Sequence, residues 1–223
     1  MKMLFLGDTH FPFENKAAIK WAIKLAQEMK PDVIVQLGDL TDQFSFSRYP
    51  RAHKMDPADE LKKGVEGAQK MWAALPKNCR RIQILGNHDD RMQKQALKAM
   101  PELISVVEDA LDDMYTFEGV ETIKEFEFEL EGIMVQHGHR AKLGDHAKYN
   151  QCSTVVGHSH HGGVVYLRNR DGVYWELNAG FLGDINTTAF GYVSQKKVNT
   201  TTLGVGYVDE LGPRFIPYPP ESK

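Results

Sequence analysis

Five short clusters in the chain carry residue types that bind metals and move protons. They are Gly7-Asp8-Thr9-His10, Gly38-Asp39-Leu40-Thr41-Asp42, Gly86-Asn87-His88-Asp89-Asp90, His137-Gly138-His139 and Gly157-His158-Ser159-His160-His161. Their donors are oxygen and nitrogen, with no thiolate among them. Such donors suit manganese, iron, nickel, magnesium or zinc, and not an iron–sulfur cluster or cuprous ion. One ion takes about four to six ligands, and the clusters offer more than that. A carboxylate can bridge two ions about 3.5–4 Å apart, an arrangement that suits in-line attack on phosphorus. Each cluster alone is weak. Asp-x-His is common, Gly-Asp after a strand is usually a turn, Asn87 could cap a helix, and Gly-His-Ser-His could be paired surface histidines.

Their placement makes coincidence hard to sustain. Strands are predicted at residues 2–7, 33–37 and 81–85, and each ends at or beside a glycine of a cluster. Helical spacing of apolar residues fills 15–29, the segment from Pro57 to about Leu75, and 90–99. This β-α-β-α-β-α pattern implies a largely parallel, doubly covered sheet. Ligands of such sheets sit at the carboxyl ends of the strands. The clusters would then converge on one crevice and bring six of the nine histidines with them even without His161.

Beyond residue 120 the pattern changes. Phe126, Phe128 and Leu130 alternate with Glu125, Glu127, Glu129 and Glu131. Gly132 turns the chain into a strand over 133–136, giving a hairpin with one wet face. A helix is expected over 143–151, with strands at 152–156, 163–168, 172–178 and 203–208. Residues 43–57 read as a loop. Its stretch from Phe44 to Arg51 mixes aromatics with arginines, as a nucleotide contact would or as a lid with its phenylalanines packed inward. Residues 194–202 are expected to be mobile, and the tail from Pro217 to fray.

The 223 residues fit a single domain over 1–223. Apolar residues make up 42% and charged ones 26%, as in a globular protein. The net charge of −3 argues against a protein held on nucleic acid by bulk charge, though a local basic groove stays open. No apolar run approaches the roughly 20 residues of a membrane span, and the N-terminus lacks the apolar length of a signal peptide. Cys79 and Cys152 show no CxxC spacing, so reduced thiols in the cytoplasm are expected.

The ordered set Asp-x-His, Gly-Asp-x-x-Asp, Gly-Asn-His-Asp, His-Gly and Gly-His-x-His, spanning residues 8 to 160, resembles the calcineurin-like metallophosphoesterases. In spacing it is similar to their compact phage and bacterial members. The resemblance implies an α/β fold, a four-layer α-β-β-α sandwich of two mixed sheets flanked by helices. It implies a hydrolase in which water activated between two divalent ions attacks phosphorus, manganese standing first and iron, nickel, zinc or magnesium as alternatives. Asp8, His10 and His160 would bind one ion. Asn87, His137 and His158 would hold the second, and Asp39 would bridge both. His88 would protonate the leaving oxygen, Asp89 would orient His88, and Asp42 would support the ligands.

His139 and His161 are expected to be structural, and His53 and His146 to lie on the surface. The substrate expected is a phosphodiester, with a nucleotide or DNA as the candidates. A phosphomonoesterase or nucleotidase is the alternative, as is a protein phosphatase, although Phe11, Gln43-Phe44 and Asp89 depart from the motifs of that branch. A metal-binding scaffold without catalysis is the alternative of another class.

Overall fold

The computed structural model describes residues 1–48, 54–190 and 200–219. Two mixed sheets face one another. In the first, β1 (Met3–Leu6), β2 (Val33–Gln36), β3 (Arg80–Ile84) and β4 (Glu121–Ile123) run parallel. This sheet is extended past β1 by antiparallel β10 (Gly204–Asp209) and β11 (Gly212–Pro217), for an order β11-β10-β1-β2-β3-β4. The second sheet has β5 (Glu127–Leu130), β6 (Ile133–Gln136), β7 (Thr154–Val156), β8 (Gly163–Arg168) and β9 (Val173–Asn178) in the order β5-β6-β7-β9-β8. Its inner strands β6, β7 and β9 are parallel, and hairpin partners β5 and β8 close both edges.

The strand period of two sorts the side chains into layers. Met3, Phe5, Val33, Val35, Ile82 and Ile84 point between the sheets, against Leu130, Ile133, Val135, Val155 and Leu177. The alternate residues Leu4, Leu6 and Ile34 point outward and meet helices α1 (Lys16–Met29) and α2 (Pro57–Ala74) through Ala18, Ala22, Ala68 and Trp72. Helix α1 starts where Asn15 accepts the amide of Ala18, and α2 starts with Asp56 capping Asp59 and Pro57 in its first turn. Helices α3 (Arg91–Ala99) and α4 (Ile104–Met114) form a hairpin beside β3, and short α5 (Asp145–Asn150) covers the second sheet. The result is the helix–sheet–sheet–helix layering expected from the resemblance. Among the described residues no helix is long and apolar enough to cross a membrane.

Several expectations need correction. Helix α4 and strands β4 and β11 were not foreseen. The β-branched Ile104, Val106 and Val107 weaken the helical reading of α4, and Pro101 interrupts the approach to it. Phe126 lies outside β5 and is exposed, so the inward alternation begins only at Phe128. The 43–57 loop contains a 3-10 turn at Phe44–Phe46, in which Phe44 packs inward beside Phe13, while Phe46 lines the central cleft. The tail is anchored as far as Tyr218. Its amide bonds to the Leu203 carbonyl and its ring meets Trp21. The expected mobility of 194–202 falls mostly on undescribed residues, as do the last four residues and His53. Both cysteines are free and half-buried.

Candidate active site

The clusters sit where the parallel strands end. Asp8 and His10 follow β1, Asp39 follows β2, Asn87 and His88 follow β3, His137 follows β6, and His158 and His160 follow β7. The chain turns so sharply here that five of these residues adopt positive φ: Asp8 at 41°, His10 at 51°, Asp39 at 50°, His158 at 65° and His160 at 62°. Non-glycine residues resist that region, at a cost on the order of 1 kcal/mol or more each, and such strain gathers at functional sites. Long-range contacts hold the turns in place. The His10 amide bonds to the Asp39 carbonyl at 2.9 Å, and the His158 amide donates to Asp8 Oδ2 at 2.9 Å. Gly86 is required by close approach, since a Cβ there would lie 2.2 Å from Asp39 Oδ1.

Three overlapping donor groups result, each with its ligand atoms within 4.8 Å of one another. Asp8, His10 and His160 form one, Asp39, His137 and His158 another, and His10, Asp39 and His88 a third. Asp39 belongs to the second and third groups, and His10 to the first and third; Asp39 Oδ2 stands between several rings. It lies 3.4 Å from His137 Nε2 and 3.9 Å from both His10 Nε2 and His88 Nε2. Asn87 joins through its Oδ1, 3.2 Å from His137 Nε2, and caps no helix. Imidazole nitrogens face each other at 3.3 Å between His10 and His160, and at 3.2 Å between His137 and His158.

Two facing lone pairs can share at most one proton, whereas a cation between them satisfies both. The donor set therefore fits divalent ions. The ligand rings are aimed from behind. His137 Nδ1 donates to the Leu37 carbonyl at 2.8 Å, and His10 Nδ1 meets Asp42 Oδ2 at 2.9 Å, turning each Nε2 into the cluster.

The electrostatics agree with that use. Burial, with the neighbouring His137, lowers the pKa of His158 to about 4. Burial and His10 push His160 well below the ordinary range, and burial and His88 lower His10. These rings are neutral near pH 7 and offer lone pairs. His137 is the reverse: despite burial, Asp39 and Asp8 lift it to about 10, so its proton must leave when a metal binds. Burial and the nearby Asp39 raise Asp8 well above the carboxylate range. Asp39, against its own burial, is held well below that range by His137 and His88.

The expected role of Asp89 does not match the geometry. Its carboxylate accepts from the amides of Gly86 at 2.9 Å, Leu40 at 3.2 Å and Thr41 at 2.8 Å, and from the Tyr115 hydroxyl at 3.0 Å. It ties the second cluster to the third and does not meet the His88 ring. That ring is held by Asp42, whose Oδ2 lies 3.2 Å from His88 Nδ1.

His146, expected on the surface, is buried. Its Nε2 accepts the amides of His139 and Arg140 and so fixes the loop after His137. The reason is remote: Glu176 on β9 binds the amides of Gly144, His146 and Ala147 and docks α5. The His139 ring packs edge-on to His146 and joins none of the donor groups. His161 Nε2 pairs with Thr200 Oγ1 at 2.9 Å.

Sequence reasoning missed Arg91 and Gln43. Arg91 Nη2 lies 2.8 Å from His88 Nε2, while its Nη1 donates to the Asp42 carbonyl at 2.9 Å and Oδ1 at 3.1 Å. Its position three residues after His88, across the turn that leads into α3, was the available signal. Gln43 Nε2 donates to the Asp89 carbonyl and its Oε1 accepts the Met92 amide, which fastens α3 to the second cluster. The donor groups open into a cleft of roughly 850 Å³, lined also by Phe46, Arg91, Lys94, Lys124 and Phe126.

A family model described as calcineurin-like phosphoesterase matches residues 1–187. The gene 54 protein of Mycobacterium phage L5 is 27% identical over 203 residues, which cover 81% of this chain and 79% of that protein. The gene 54 protein of Mycobacterium phage D29 is 27% identical over 180 residues, covering 73% and 70%. Among solved structures, a novel archaeal phosphodiesterase aligns over 98% of this chain and 100% of its own, with a TM-score of 0.51 and 17% identity, a likeness of fold.

Proposed function

The chain belongs to the calcineurin-like phosphoesterase family and is a metal-dependent phosphoester hydrolase; from that premise we propose that it cleaves phosphodiesters at a pair of divalent cations, with a nucleotide or nucleic-acid strand as substrate. The observation that carries the reading is the chain of shared donors: Asp39 belongs to the group with His137 and His158 and to the group with His10 and His88, and His10 belongs also to the group with Asp8 and His160. In this reading Asp8, His10 and His160 hold the first ion. Asn87, His137 and His158 hold the second, and Asp39 serves both. Divalent ions bound there supply charge neutralisation for the phosphoryl oxygens and lower the pKa of water towards neutrality. Manganese is our first assignment, because the donors mix carboxylate, amide and imidazole without thiolate.

The chain's own residues do the rest. His88 stands at the edge of the cluster and delivers a proton to the departing oxygen, a contribution of about 10²–10⁴-fold. Burial opposes a charged His88 ring, but the Asp39 and Asp42 carboxylates outweigh it and raise its pKa. Arg91 donates to His88 Nε2 in the structure. On substrate binding it gives up that contact and turns its guanidinium to a phosphoryl oxygen. That frees Nε2 to take up a proton from solvent, which the imidazolium, held through Nδ1 by Asp42, passes to the leaving oxygen.

Arg91, Lys94 and Lys124 line the cleft, paired with Asp42, Asp90 and Asp112 at 3.1, 2.7 and 2.6 Å. The two lysine pairs are exposed, and such pairs are weak enough to be exchanged for a phosphate. That supports an anionic, extended substrate, and the archaeal phosphodiesterase that shares the fold is consistent with diester chemistry. We take residues 1–223 as one domain in a reducing, cytoplasmic setting, a reading supported by the two free thiols.

The test is manganese-dependent release of nitrophenol from bis- and mono-nitrophenyl phosphate. Preference for the diester is expected. Monoester preference would point to a phosphatase or nucleotidase. No hydrolysis with any first-row ion would point to a non-catalytic scaffold.

A further inference from the structure

The cleft wall carries an aromatic surface that phosphoryl chemistry leaves unused. Phe126 lies between β4 and β5, where the two sheets exchange the chain, and it is 58% exposed. An isolated exposed apolar ring is unremarkable on a surface, but this one lines the same cleft as Asp39, His137 and His158. It is also backed by a fixed partner. The His139 ring centroid is 5.7 Å from that of Phe126 at a 45° tilt, and His139 is itself set edge-on at 5.2 Å to the buried His146. Because His146 accepts the amides of both His139 and Arg140, the backbone that carries the His139 ring behind Phe126 is pinned. Lys124, two residues before Phe126, lines the same cleft, with its ammonium paired to Asp112 at 2.6 Å.

We infer that Phe126, backed by His139, is a stacking platform for an unpaired nucleobase next to the scissile phosphate, which makes single-stranded nucleic acid the substrate class. This rests on the phosphodiesterase reading above. A base in a duplex has both faces covered by its neighbours, so a side-chain platform can take only an unstacked one. Stacking of this kind tolerates any base, since every base has a π-face.

The test compares two diesters with the same leaving group, thymidine 5′-(p-nitrophenyl phosphate) and methyl p-nitrophenyl phosphate, with the manganese-loaded protein. Phe126→Ala should raise KM for the thymidine diester about tenfold more than for the methyl diester. The change in kcat should be smaller, and Phe126→Trp should restore the thymidine KM. Equal effects on the two diesters would overturn the platform.

A second measurement needs no turnover. Fluorescence of Phe126→Trp, corrected for the parent protein, should be quenched by oligothymidylate and by oligouridylate, and less by an abasic strand of equal length or a duplex. Quenching without hydrolysis of either diester would keep the platform and remove the catalytic reading. Hydrolysis without base-dependent quenching would do the opposite.

Discussion

The Asp42 carboxylate lies 3.2 Å from His88 Nδ1, and it is this residue, rather than neighbouring Asp89, that aims the imidazole. The same oxygen meets His10 Nδ1 at 2.9 Å, so one buried carboxylate orients both a proton donor and a metal ligand. Although burial works against it, His88 and His10 hold Asp42 far below the carboxylate range. Asp42→Asn should lower kcat about 10²-fold on an alkyl diester and less on a nitrophenyl diester, whose leaving group needs no proton. Equal losses on the two leaving groups would mean that Asp42 acts only through His10.

His88→Ala should separate chemistry from metal binding. Retention of both ions with turnover on alkyl diesters reduced by about 10²-fold or more is expected. Metal content by elemental analysis, beside kcat, checks it. Asp39→Asn should behave differently and lose both ions together, because its Oδ2 stands at the meeting point of the donor groups. Two equivalents retained in that variant would remove the shared-ligand role.

Gly86→Ala tests the closeness of the turns. The added methyl would meet both Asp39 Oδ1 and the Asp39 amide, at 2.2 and 2.3 Å. Relief requires moving the shared carboxylate. A loss of stability of about 1–3 kcal/mol in urea unfolding is expected, together with weaker metal uptake. Unchanged metal affinity would show that the site tolerates displacement of Asp39.

Glu176 should give stability a carboxylate-type pH dependence. Burial alone would raise its pKa, but His146 and the amides of Ala147 and Gly144 bring it below its ordinary value. A group depressed on folding contributes stability above its unfolded pKa, and that contribution fades as pH falls through the folded value. Glu176→Gln should therefore cost about 1–3 kcal/mol at pH 7. The gap from the parent should narrow below about pH 4. Urea titrations at neutral and acidic pH decide this, and a gap independent of pH would exclude the carboxylate charge as its source.

The strand ends and the residues on them were legible because β1 and β2 are short, mostly apolar runs and β3 alternates polar and apolar residues, and a glycine follows each within two residues. Their donor clusters also differ in type from ordinary turn residues. Asp89 misled because adjacency in sequence is not adjacency of side chains. In the turn after β3 its carboxylate swings back to the Gly86 and Thr41 amides while the His88 ring points the other way. His146 could not be placed because its burial depends on Glu176, 30 residues later and on another strand. Arg91 went unnoticed because its partners, His88 and Asp42, come together only when α3 packs across the loop after β2.

The proposed ligands are divided between the two halves of the sandwich: Asp8, His10, Asp39 and Asn87 follow strands of one sheet, and His137, His158 and His160 follow strands of the other. Ions seated there would act as a clasp across the seam, and their occupancy would become part of the cohesion of the molecule. Chelation should accordingly loosen the join as well as stop catalysis, registering as a lower melting temperature that free metal restores.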